Sequence, residues 1–209
     1  MILCDIGNTN IHLLKDGKFA TEKSDNFLQL CFEDKVYYIC VNDALHPALK
    51  ERKNFIDLEN FIKFETLYKG MGIDRICVCK YIHDGVVVDA GSAITVDIMS
   101  DGRHEGGFIL PGIKAYEKIY ALISPRLDFE INRSVLLDTL PANTKDAVSF
   151  AVLKSVVLTI KNAAGGKKIY FTGGDGEYFS SFFKNGIFDK MLVFKTLLNT
   201  VEELEKRGI

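Results

Sequence analysis

Apolar residues near the N-terminus occur in short runs and alternating segments, a pattern that predicts strands joined by tight turns. Ile2 to Cys4 has the pattern of a buried strand, and the alternation from Ile11 to Leu14 marks its hairpin partner. Asp16-Gly17 is a turn signal, after which Lys18 to Glu22 continues the meander. The apolar run from Val36 to Val41 predicts a further buried strand. The first part of the chain therefore predicts a sheet.

Helical spacing of apolar residues follows each group of strands. It predicts short helices over residues 24–32, capped by Ser24 or Asp25, and over Ala44 to Arg52. A longer helix is predicted over residues 74–82, with Asp74 at its N-terminus, where the helix dipole favours a negative charge. An aspartate cap followed by an arginine is also a common structural feature without any chemical role. Residues 53–68 show no clear period, so no state is predicted for them.

After residue 84 the pattern again begins with strands and continues with helices. The predicted strands are Val86 to Val88, Ile94 to Met99, His104 to Leu110, Lys168 to Phe171 and Met191 to Phe194. The predicted helices are Ile113 to Ile123, Lys145 to Ala163 capped by Thr144, Glu177 to Lys184, and Leu197 to Lys206. Alternation of strands and helices is typical of an α/β fold.

The first strand and turn of the chain have a near copy in the second half. Residues 2–9 read ILCDIGNT, and residues 86–93 read VVVDAGSA. Each copy continues into an alternating strand and then reaches an Asp-Gly pair, at Asp16-Gly17 and at Asp101-Gly102. Recurrence of the whole ordered set at nearly the same spacing indicates an internal duplication. We therefore predict an α/β fold of two similar mixed-sheet halves, residues 1–83 and residues 84–209.

Composition narrows the possible partners. Hydrophobic residues make up 47% and charged residues 26% of the 209 residues, as expected of a globular protein. The formal net charge of -2 gives no basic surface for nucleic acid or for anionic lipid, so neither nucleic acid nor a membrane is expected as a partner. The N-terminus has no charged segment before its first apolar run, which argues against a signal peptide. Five cysteines within apolar patterns favour buried, reduced thiols and a cytoplasmic location.

Asp5 and Asp89 each end a predicted strand and precede a glycine and small residues. Such a turn can present backbone amides and hydroxyls to phosphate, while the carboxylate offers a hard oxygen to Mg²⁺. Ordinary hairpin chemistry would use the same residues without any ligand. The duplication favours the ligand interpretation, because two such turns facing each other across a cleft could hold a polyphosphate from both sides.

A third glycine-rich turn, Thr172 to Gly176, lies between a predicted strand and a predicted helix and suits the nucleoside end of the same ligand. No G-x-x-x-x-G-K-[ST] motif occurs, and no G-x-G-x-x-G motif follows a strand. These absences exclude a P-loop and a dinucleotide-binding fingerprint.

Taken in chain order, six motifs resemble those of the type III pantothenate kinases, a family in the superfamily of actin, heat-shock chaperone ATPases and sugar and acetate kinases. The motifs are Asp5-Ile6-Gly7-Asn8-Thr9, Gly72-Ile73-Asp74-Arg75, Asp89 to Asp97, Gly106 to Gly112, Thr144 before Ala147, and Thr172-Gly173-Gly174. The resemblance extends along the whole chain and implies a duplicated ribonuclease H-like, actin-like ATPase fold around a nucleotide cleft. It also implies ATP-dependent phosphorylation of pantothenate to 4′-phosphopantothenate, the first step of coenzyme A biosynthesis.

The resemblance implies a role for each matching residue. Asp74 would be the general base, and Arg75 would hold the carboxylate of pantothenate. The other residues implied in pantothenate binding are Tyr68, Gly72, Ile73 and Thr144. The residues implied in ATP binding are Asp5, Gly7, Asn8, Thr9, Asn10, Ser92, Ala93, Thr95, Gly173 and Gly174.

The resemblance further implies two metal sites and a homodimer. Asp5 would bind Mg²⁺ through water, and Asp89 would lie at a monovalent cation, K⁺ or NH₄⁺. Thr144 would reach the pantothenate bound to the partner subunit. Two positions depart from the family pattern: Ser92 stands where threonine is usual, and Phe150-Ala151 stands where a glycine is frequent.

Two other functions stay open at this point. The chain could be another small-molecule kinase or a phosphatase of the same superfamily. It could also be a non-catalytic, nucleotide-binding regulatory protein that kept the fold. The regulatory interpretation predicts damage to Asp5, Asp74 or Asp89, and all three residues are present.

Overall fold

The computed structural model describes residues 1–208 and contains two compact units. The first unit consists of Met1–His83 together with the segment from Met191 to the end of the described chain. The second unit is Asp84–Lys190. The sequence-based division assigned residues 84–209 to the second half. This division is corrected for the C-terminal segment, which belongs to the first unit.

The sheet of the first unit has five strands in the order β3-β2-β1-β4-β5. These strands are β1 (Ile2–Ile6), β2 (Asn10–Lys15), β3 (Lys18–Lys23), β4 (Val36–Cys40) and β5 (Phe55–Asp57). The first three form the predicted antiparallel meander, and β4 and β5 continue the sheet in parallel with β1. The carboxyl ends of β1 and β4 therefore meet at one edge of the sheet.

Helices of the first unit are short apart from two. The long ones are α2 (Ile73–Tyr81) and α6 (Leu192–Lys206), and a hydrogen bond of 2.7 Å from Thr196 Oγ1 to Cys77 O joins them. The others are α1 (His46–Lys50) and the 3-10 helices Ser24–Gln29, Asp43–Leu45 and Glu59–Phe61. The first predicted helix, over residues 24–32, is thus a 3-10 helix that ends earlier.

The prediction of a strand over Met191 to Phe194 is wrong, because these residues open α6. A short apolar run fits a buried strand and a buried helix equally well, and periodicity alone cannot separate the two. Leu192, Val193 and Phe194 are buried, and Leu197 continues the buried face of the same helix. The last strand is instead β10 (Gly186–Phe188), which is too short to give a sequence signal.

The sheet of the second unit repeats the design of the first, with the order β10-β9-β6-β7-β8. Its strands are β6 (Gly85–Ala90), β7 (Ala93–Ser100), β8 (Arg103–Pro111), β9 (Ile169–Thr172) and β10. Its helices are α3 (Ile113–Ile123), the 3-10 helix Pro125–Leu127, α4 (Thr144–Ala164) and α5 (Gly176–Ser180). In both sheets the first strand pairs with its hairpin partner on one side and with a parallel strand on the other.

The duplication extends to backbone torsions. Asp16 and Gly17 have φ values of 50° and 76°, and Asp101 and Gly102 have 49° and 75°. Positive φ at both central residues is the geometry of the type I′ hairpin turn, for which Asp-Gly is a preferred sequence. The inference of an internal duplication is therefore supported by strand order and by turn geometry.

Helix α4 supplies much of the core of the second unit. Its buried residues Val152, Leu153, Val156 and Ile160 pack in a cluster with the sheet residues Val86, Val88 and Phe171, among others. Within residues 1–208, α4 is the one helix long and apolar enough to cross a membrane by length and composition. Packing of its buried stripe against the sheet accounts for that apolar composition.

Candidate active site

The first turn lies between β1 and β2 and is held from behind by Ser24. Gly7 N–H donates to Asn10 O at 3.0 Å, and a Cβ at position 7 would lie 2.9 Å from that oxygen. Ser24 is buried, and its hydroxyl donates to Gly7 O at 2.8 Å while its N–H donates to Thr9 O at 3.1 Å. The sequence predicted Ser24 or Asp25 as a helix cap, but the N-cap residue of the 3-10 helix is Lys23, and Ser24 anchors this turn. The exposed residues Asn8 and Thr9 form the tip of the turn.

Helix α2 begins with the Gly72-Ile73-Asp74-Arg75 motif. Gly72 is its N-cap residue, in extended conformation, and Asp74 lies in its first turn. Asp74 Oδ1 accepts a hydrogen bond from Arg75 N–H at 2.7 Å. A Cβ at position 72 would lie only 2.6 Å from Asp74 Oδ1, so the glycine provides the space that the carboxylate occupies. The helix N-terminus also favours the ionised form of that carboxylate.

Arg75 is a buried cation beside an aromatic ring. It is 4% exposed, and its guanidinium carbon lies 4.6 Å from the centre of the Tyr68 ring. This distance is within the range of a cation–π interaction, which is stronger for a desolvated arginine. The structure thus brings together Tyr68, Asp74 and Arg75, three of the residues assigned to substrate binding from the sequence.

Asp5 and Asp74 lie at the same edge of the first sheet. Val41, the residue after β4, donates its N–H to Ile6 O at 3.0 Å, and its Cγ1 lies 3.8 Å from a Cβ placed at Gly72. The pKa of Cys77 is raised by burial and further by the negative charges of Asp5 and Asp74. Both carboxylates therefore lie within electrostatic reach of one buried thiol.

The second turn, after β6, has a similar arrangement in the second unit. Asp89 is half-buried and pairs with Thr95 on β7 and with Thr172 on β9. Gly91 N–H donates to Ala93 O at 2.9 Å and so closes the turn, whose residues Ser92 and Ala93 are exposed. Asp89 is consequently flanked by two hydroxyl-bearing residues at the end of a buried strand.

A further glycine supports this second turn from outside it. Gly112 N–H donates to Ser92 O at 3.2 Å, and a Cβ at position 112 would approach that same oxygen to 2.6 Å. Such an approach is shorter than real Cβ contacts, so a side chain at position 112 would displace the turn.

The third turn packs directly on Asp89. Gly173 has a φ of 82°, and a Cβ there would lie 2.6 Å from Ala90 O and would also overlap Asp89 Oδ1. Asp175 N–H donates to the same Ala90 oxygen at 2.8 Å. Gly174 is exposed, with open space around its Cα. The structure therefore joins the predicted residues Asp89, Gly173 and Gly174 into one cluster.

Thr144 lies on a different element, as the exposed first residue of α4. The N-cap of α4 is Asn143, whose side chain accepts a hydrogen bond from Asp146 N–H at 2.9 Å, so the prediction that Thr144 caps the helix is wrong. Side-chain hydrogen bonds from Asn132 and Asn143 lower the pKa of Asp146. Asparagine and threonine are both common N-cap residues, and Asn143 and Thr144 are adjacent, so the sequence alone does not decide which of them caps α4.

Some supporting residues carried no sequence signal. Ser24 anchors a turn 17 residues away, and Asn132, Arg133 and Asp175 make side-chain contacts between segments distant in the chain. Such contacts depend on tertiary packing, which local patterns do not encode. Gly112 is the exception, because it closes one of the six motifs.

Comparisons with known proteins agree with this architecture. The family model described as type III pantothenate kinase matches residues 45–165. A type III pantothenate kinase of Campylobacter jejuni is 53% identical over 203 residues, which are 97% of each chain. A solved structure from the same organism, named as a candidate Baf-family transcriptional activator, is 50% identical with a TM-score of 0.91 and covers 99% of this chain and 100% of its own.

More distant structures show the fold alone. MreB 5 of Spiroplasma citri, solved with AMPPNP, is 11% identical with a TM-score of 0.51, and the match covers 100% of this chain and 98% of that protein. The predicted fold class, that of the actin-like ATPases and sugar kinases, is thereby confirmed. The family model and the relatives of high identity together establish that this chain belongs to the type III pantothenate kinase family.

Proposed function

We propose that this chain transfers the γ-phosphoryl group of ATP to the primary hydroxyl of pantothenate, giving 4′-phosphopantothenate in the first step toward coenzyme A. The observation that carries the proposal is the Asp74 carboxylate, which lies at the start of α2 with Arg75 beside it, in a chain of the type III pantothenate kinase family. Phosphoryl transfer requires a positioned nucleophile, charge neutralisation and a group that accepts the hydroxyl proton. Asp74 is suited to accept that proton.

Recognition of pantothenate would centre on Arg75. A planar guanidinium can form two parallel hydrogen bonds with a carboxylate, and pantothenate carries a carboxylate. The Tyr68 ring supports the guanidinium on one face. Gly72 and Ile73 would line the same site, because they precede Asp74 on the helix.

The ATP phosphates would be bound by the three turns. The first turn and the strand ends beside it offer Asp5, Gly7, Asn8, Thr9 and Asn10, and the other two turns with the start of β7 offer Ser92, Ala93, Thr95, Gly173 and Gly174. Backbone N–H groups and hydroxyls at strand ends are suitable donors for phosphate oxygens. Each turn is braced by its own backbone hydrogen bonds, so its donors are organised before a ligand arrives.

Two cations complete the proposed site. Carboxylate oxygen is the donor that hard cations prefer, and Asp5 and Asp89 each place one at a strand end. Asp89 pairs with Thr95 and Thr172 on the neighbouring strands, so carboxylate and hydroxyl oxygens that suit a hard cation come from adjacent strand positions. Asp5 would hold Mg²⁺ through water, and Asp89 would lie at K⁺ or NH₄⁺. Bound there, the cations would neutralise phosphate charge.

A homodimer is part of the proposal. Thr144 is exposed at the start of α4, where its hydroxyl could reach the pantothenate of a second copy. Size-exclusion chromatography with light scattering measures the mass of the purified protein. A mass near twice 23.4 kDa is expected, and a monomer at micromolar concentration would contradict the dimer.

A substrate panel tests the proposed reaction. Purified protein is incubated with ATP, Mg²⁺ and each of several small alcohols, including pantothenate, with and without K⁺. We expect phosphorylated product from pantothenate, in larger amount when K⁺ or NH₄⁺ is present. Phosphorylation of other alcohols without pantothenate would overturn the substrate assignment while leaving the kinase class intact.

A second candidate function is non-catalytic regulation, because the Campylobacter structure of 50% identity is named as a transcriptional activator. The acidic sequence pI of about 6.1 argues against direct binding to nucleic acid. ATP binding without turnover on any alcohol in the panel would favour the regulatory function over the kinase.

A further inference from the structure

The loop between α3 and α4 contributes an arginine to the third turn. Arg133 Nη2 donates to Asp175 Oδ1 at 2.6 Å. Its guanidinium carbon lies 5.2 Å from the centre of the Tyr178 ring, and the Tyr178 hydroxyl donates to Arg133 O at 2.8 Å. Three contacts of different kinds thus join one residue to the turn and to α5, the next helix along the chain.

Asp175 is held through both its backbone and its side chain. Its N–H donates to Ala90 O at the end of β6, and its carboxylate accepts from Arg133. Gly173, two residues earlier, packs against the same Ala90 oxygen and against Asp89. A shift of Asp175 would therefore move the glycines of the turn relative to Asp89.

The loop that carries Arg133 has its own firm attachment. Asn132 N–H donates to Ser149 Oγ at 2.8 Å, and its side-chain amide donates to Asp146 Oδ1 at 2.7 Å. Ser149 is fully buried on α4. Asn132 is hydrogen-bonded to α4 and Arg133 to the turn. These two residues therefore connect the turn to the helix that forms much of the core of the unit.

The charge of the pair also matters at this place. The Asp175 side chain is 19% exposed and lies two residues from Gly173, so an unpaired carboxylate there would repel a phosphate bound at the turn. Arg133 neutralises it. The Arg133 side chain is 42% exposed, so solvent screens the interaction and its effect is moderate.

We infer that Arg133 is a positioning residue for the nucleotide: through its ion pair with Asp175 it fixes the Gly173-Gly174 turn beside Asp89 and cancels the negative charge of the turn. This inference rests on the proposed function, in which the turn binds ATP phosphate and Asp89 lies at a monovalent cation. Loss of Arg133 then weakens ATP binding and cation activation together and leaves pantothenate recognition unchanged.

The test compares R133A, D175N and the double variant R133A/D175N with the wild type. R126A serves as the matched control, because Arg126 is an exposed arginine in the same connection between α3 and α4. The readouts are the KM for ATP, the K⁺ concentration for half-activation, the KM for pantothenate and the Tm. Binding of ATP is also measured by calorimetry, which requires no turnover.

We expect R133A to raise the KM for ATP and the K⁺ half-activation concentration by about fivefold, as for a partly exposed charged hydrogen bond. The pantothenate KM should change by less than about twofold, because the contacts of Arg133 described above are with Asp175 and Tyr178 and involve none of the residues proposed to bind pantothenate. The double variant should be no worse than R133A, because the two residues act as one pair. R126A should behave as the wild type.

Unchanged ATP and K⁺ parameters in R133A would overturn the inference, and so would effects of R133A and D175N that add in full. If R133A lowers the Tm too far for kinetics, R133K provides the same test. A smaller increase in the KM for ATP is expected for R133K, because lysine keeps the charge but loses the planar contact with Tyr178. An inactive wild type would instead count against the proposed function, and calorimetry would still decide whether R133A weakens ATP binding.

Discussion

Individual glycines leave the space that oxygen atoms of the proposed site occupy. Gly72 makes room for the Asp74 carboxylate, Gly173 for Asp89, and Gly112 for the carbonyl of Ser92. Gly72 differs from Gly173 because its φ of -64° is open to any residue, so its requirement is purely steric. Substitution at Gly72 therefore tests the position of a carboxylate without straining the backbone.

Gly72→Ala should lower kcat by about 10- to 100-fold, because a displacement of about 1 Å at a reacting group costs this much. The added methyl group would lie 2.6 Å from Asp74 Oδ1, closer than real Cβ contacts, so the carboxylate would have to move. Steady-state kinetics measures the change in kcat, and a thermal melt should show a slightly lower Tm, because the added methyl group crowds Asp74 and alanine is a poorer N-cap residue than glycine. Lys69→Ala, in the exposed loop just before, is the control. Turnover of Gly72→Ala at the wild-type rate would refute this role of the glycine.

The cysteines offer a second test at this scale. All five lie in the described part of the chain; Cys4, Cys40, Cys77 and Cys79 are buried, as predicted, whereas Cys31 is exposed, contrary to the prediction. Burial is the main cause of the raised pKa of Cys4, Cys40 and Cys77, so these thiols stay protonated near pH 8. A thiol reagent such as DTNB should modify one thiol in the native protein and none in Cys31→Ser. Rapid modification of any thiol in Cys31→Ser would show that the buried cysteines are accessible.

The same pKa shifts predict a loss of stability at alkaline pH. A group whose pKa is raised in the folded state stabilises the protein below its unfolded pKa and less so as the pH rises above that value. The unfolded thiols ionise near pH 8.5, so the Tm should fall between about pH 8 and pH 10. Tyr38, whose pKa burial and Asp57 raise to about 12, adds to the effect above pH 10. Replacement of Cys77 by alanine should make the decline shallower. An equally steep decline in that variant would exclude Cys77 as a source.

At the scale of elements, the hairpins that open each half of the chain and their turns were largely predictable, and short helices were not. Continuous apolar runs identified the buried strands β1 and β6, and alternation of apolar residues identified β2 and β7, because the period of two is set by the pleat. The run from Met191 to Phe194 was misassigned, since burial on all sides removes the period that separates a strand from a helix. The site motifs at Asp5, Asp74 and Asp89 were visible because each lies where a strand or helix meets a turn. Their supports, Ser24 and Arg133, were not visible because they act across long sequence separations.

Helix α6 provides an element-scale prediction, because the C-terminal segment packs in the first unit. Leu197 is fully buried, and Leu197→Ala should reduce the free energy of unfolding by about 2–5 kcal/mol through lost burial and the cavity it leaves. Asn199, two residues later, is exposed, and Asn199→Ala should change the free energy of unfolding by less than about 0.5 kcal/mol. Urea denaturation measures both variants. Equal changes in the free energy of unfolding for the two variants would show that the apolar face of α6 does not pack against the rest of the unit.

The whole molecule is a duplicated design whose two copies have diverged. The two sheets share one strand order, and each first strand has an aspartate as its next-to-last residue and is followed by a glycine-containing turn. The copies differ in their later elements: the first unit carries α2 with Asp74 and Arg75, and the second carries α4 with Thr144 and the Gly173 turn. The turns proposed to bind phosphate are thus common to both copies, whereas the groups proposed to select and activate pantothenate belong to elements that differ between the copies.

The most direct test of the proposed kinase combines product formation with ATP binding in the wild type and in Asp74→Asn. Asparagine keeps the size of the side chain and its place on α2 but cannot take up a proton from the hydroxyl. With pantothenate, Mg²⁺ and K⁺ present, the wild type should form phosphopantothenate. Asp74→Asn should bind ATP with unchanged affinity and lose turnover by at least about 100-fold, as expected for removal of a general base. Turnover of Asp74→Asn near the wild-type rate, or a wild type that binds ATP without forming product, would contradict the proposed mechanism.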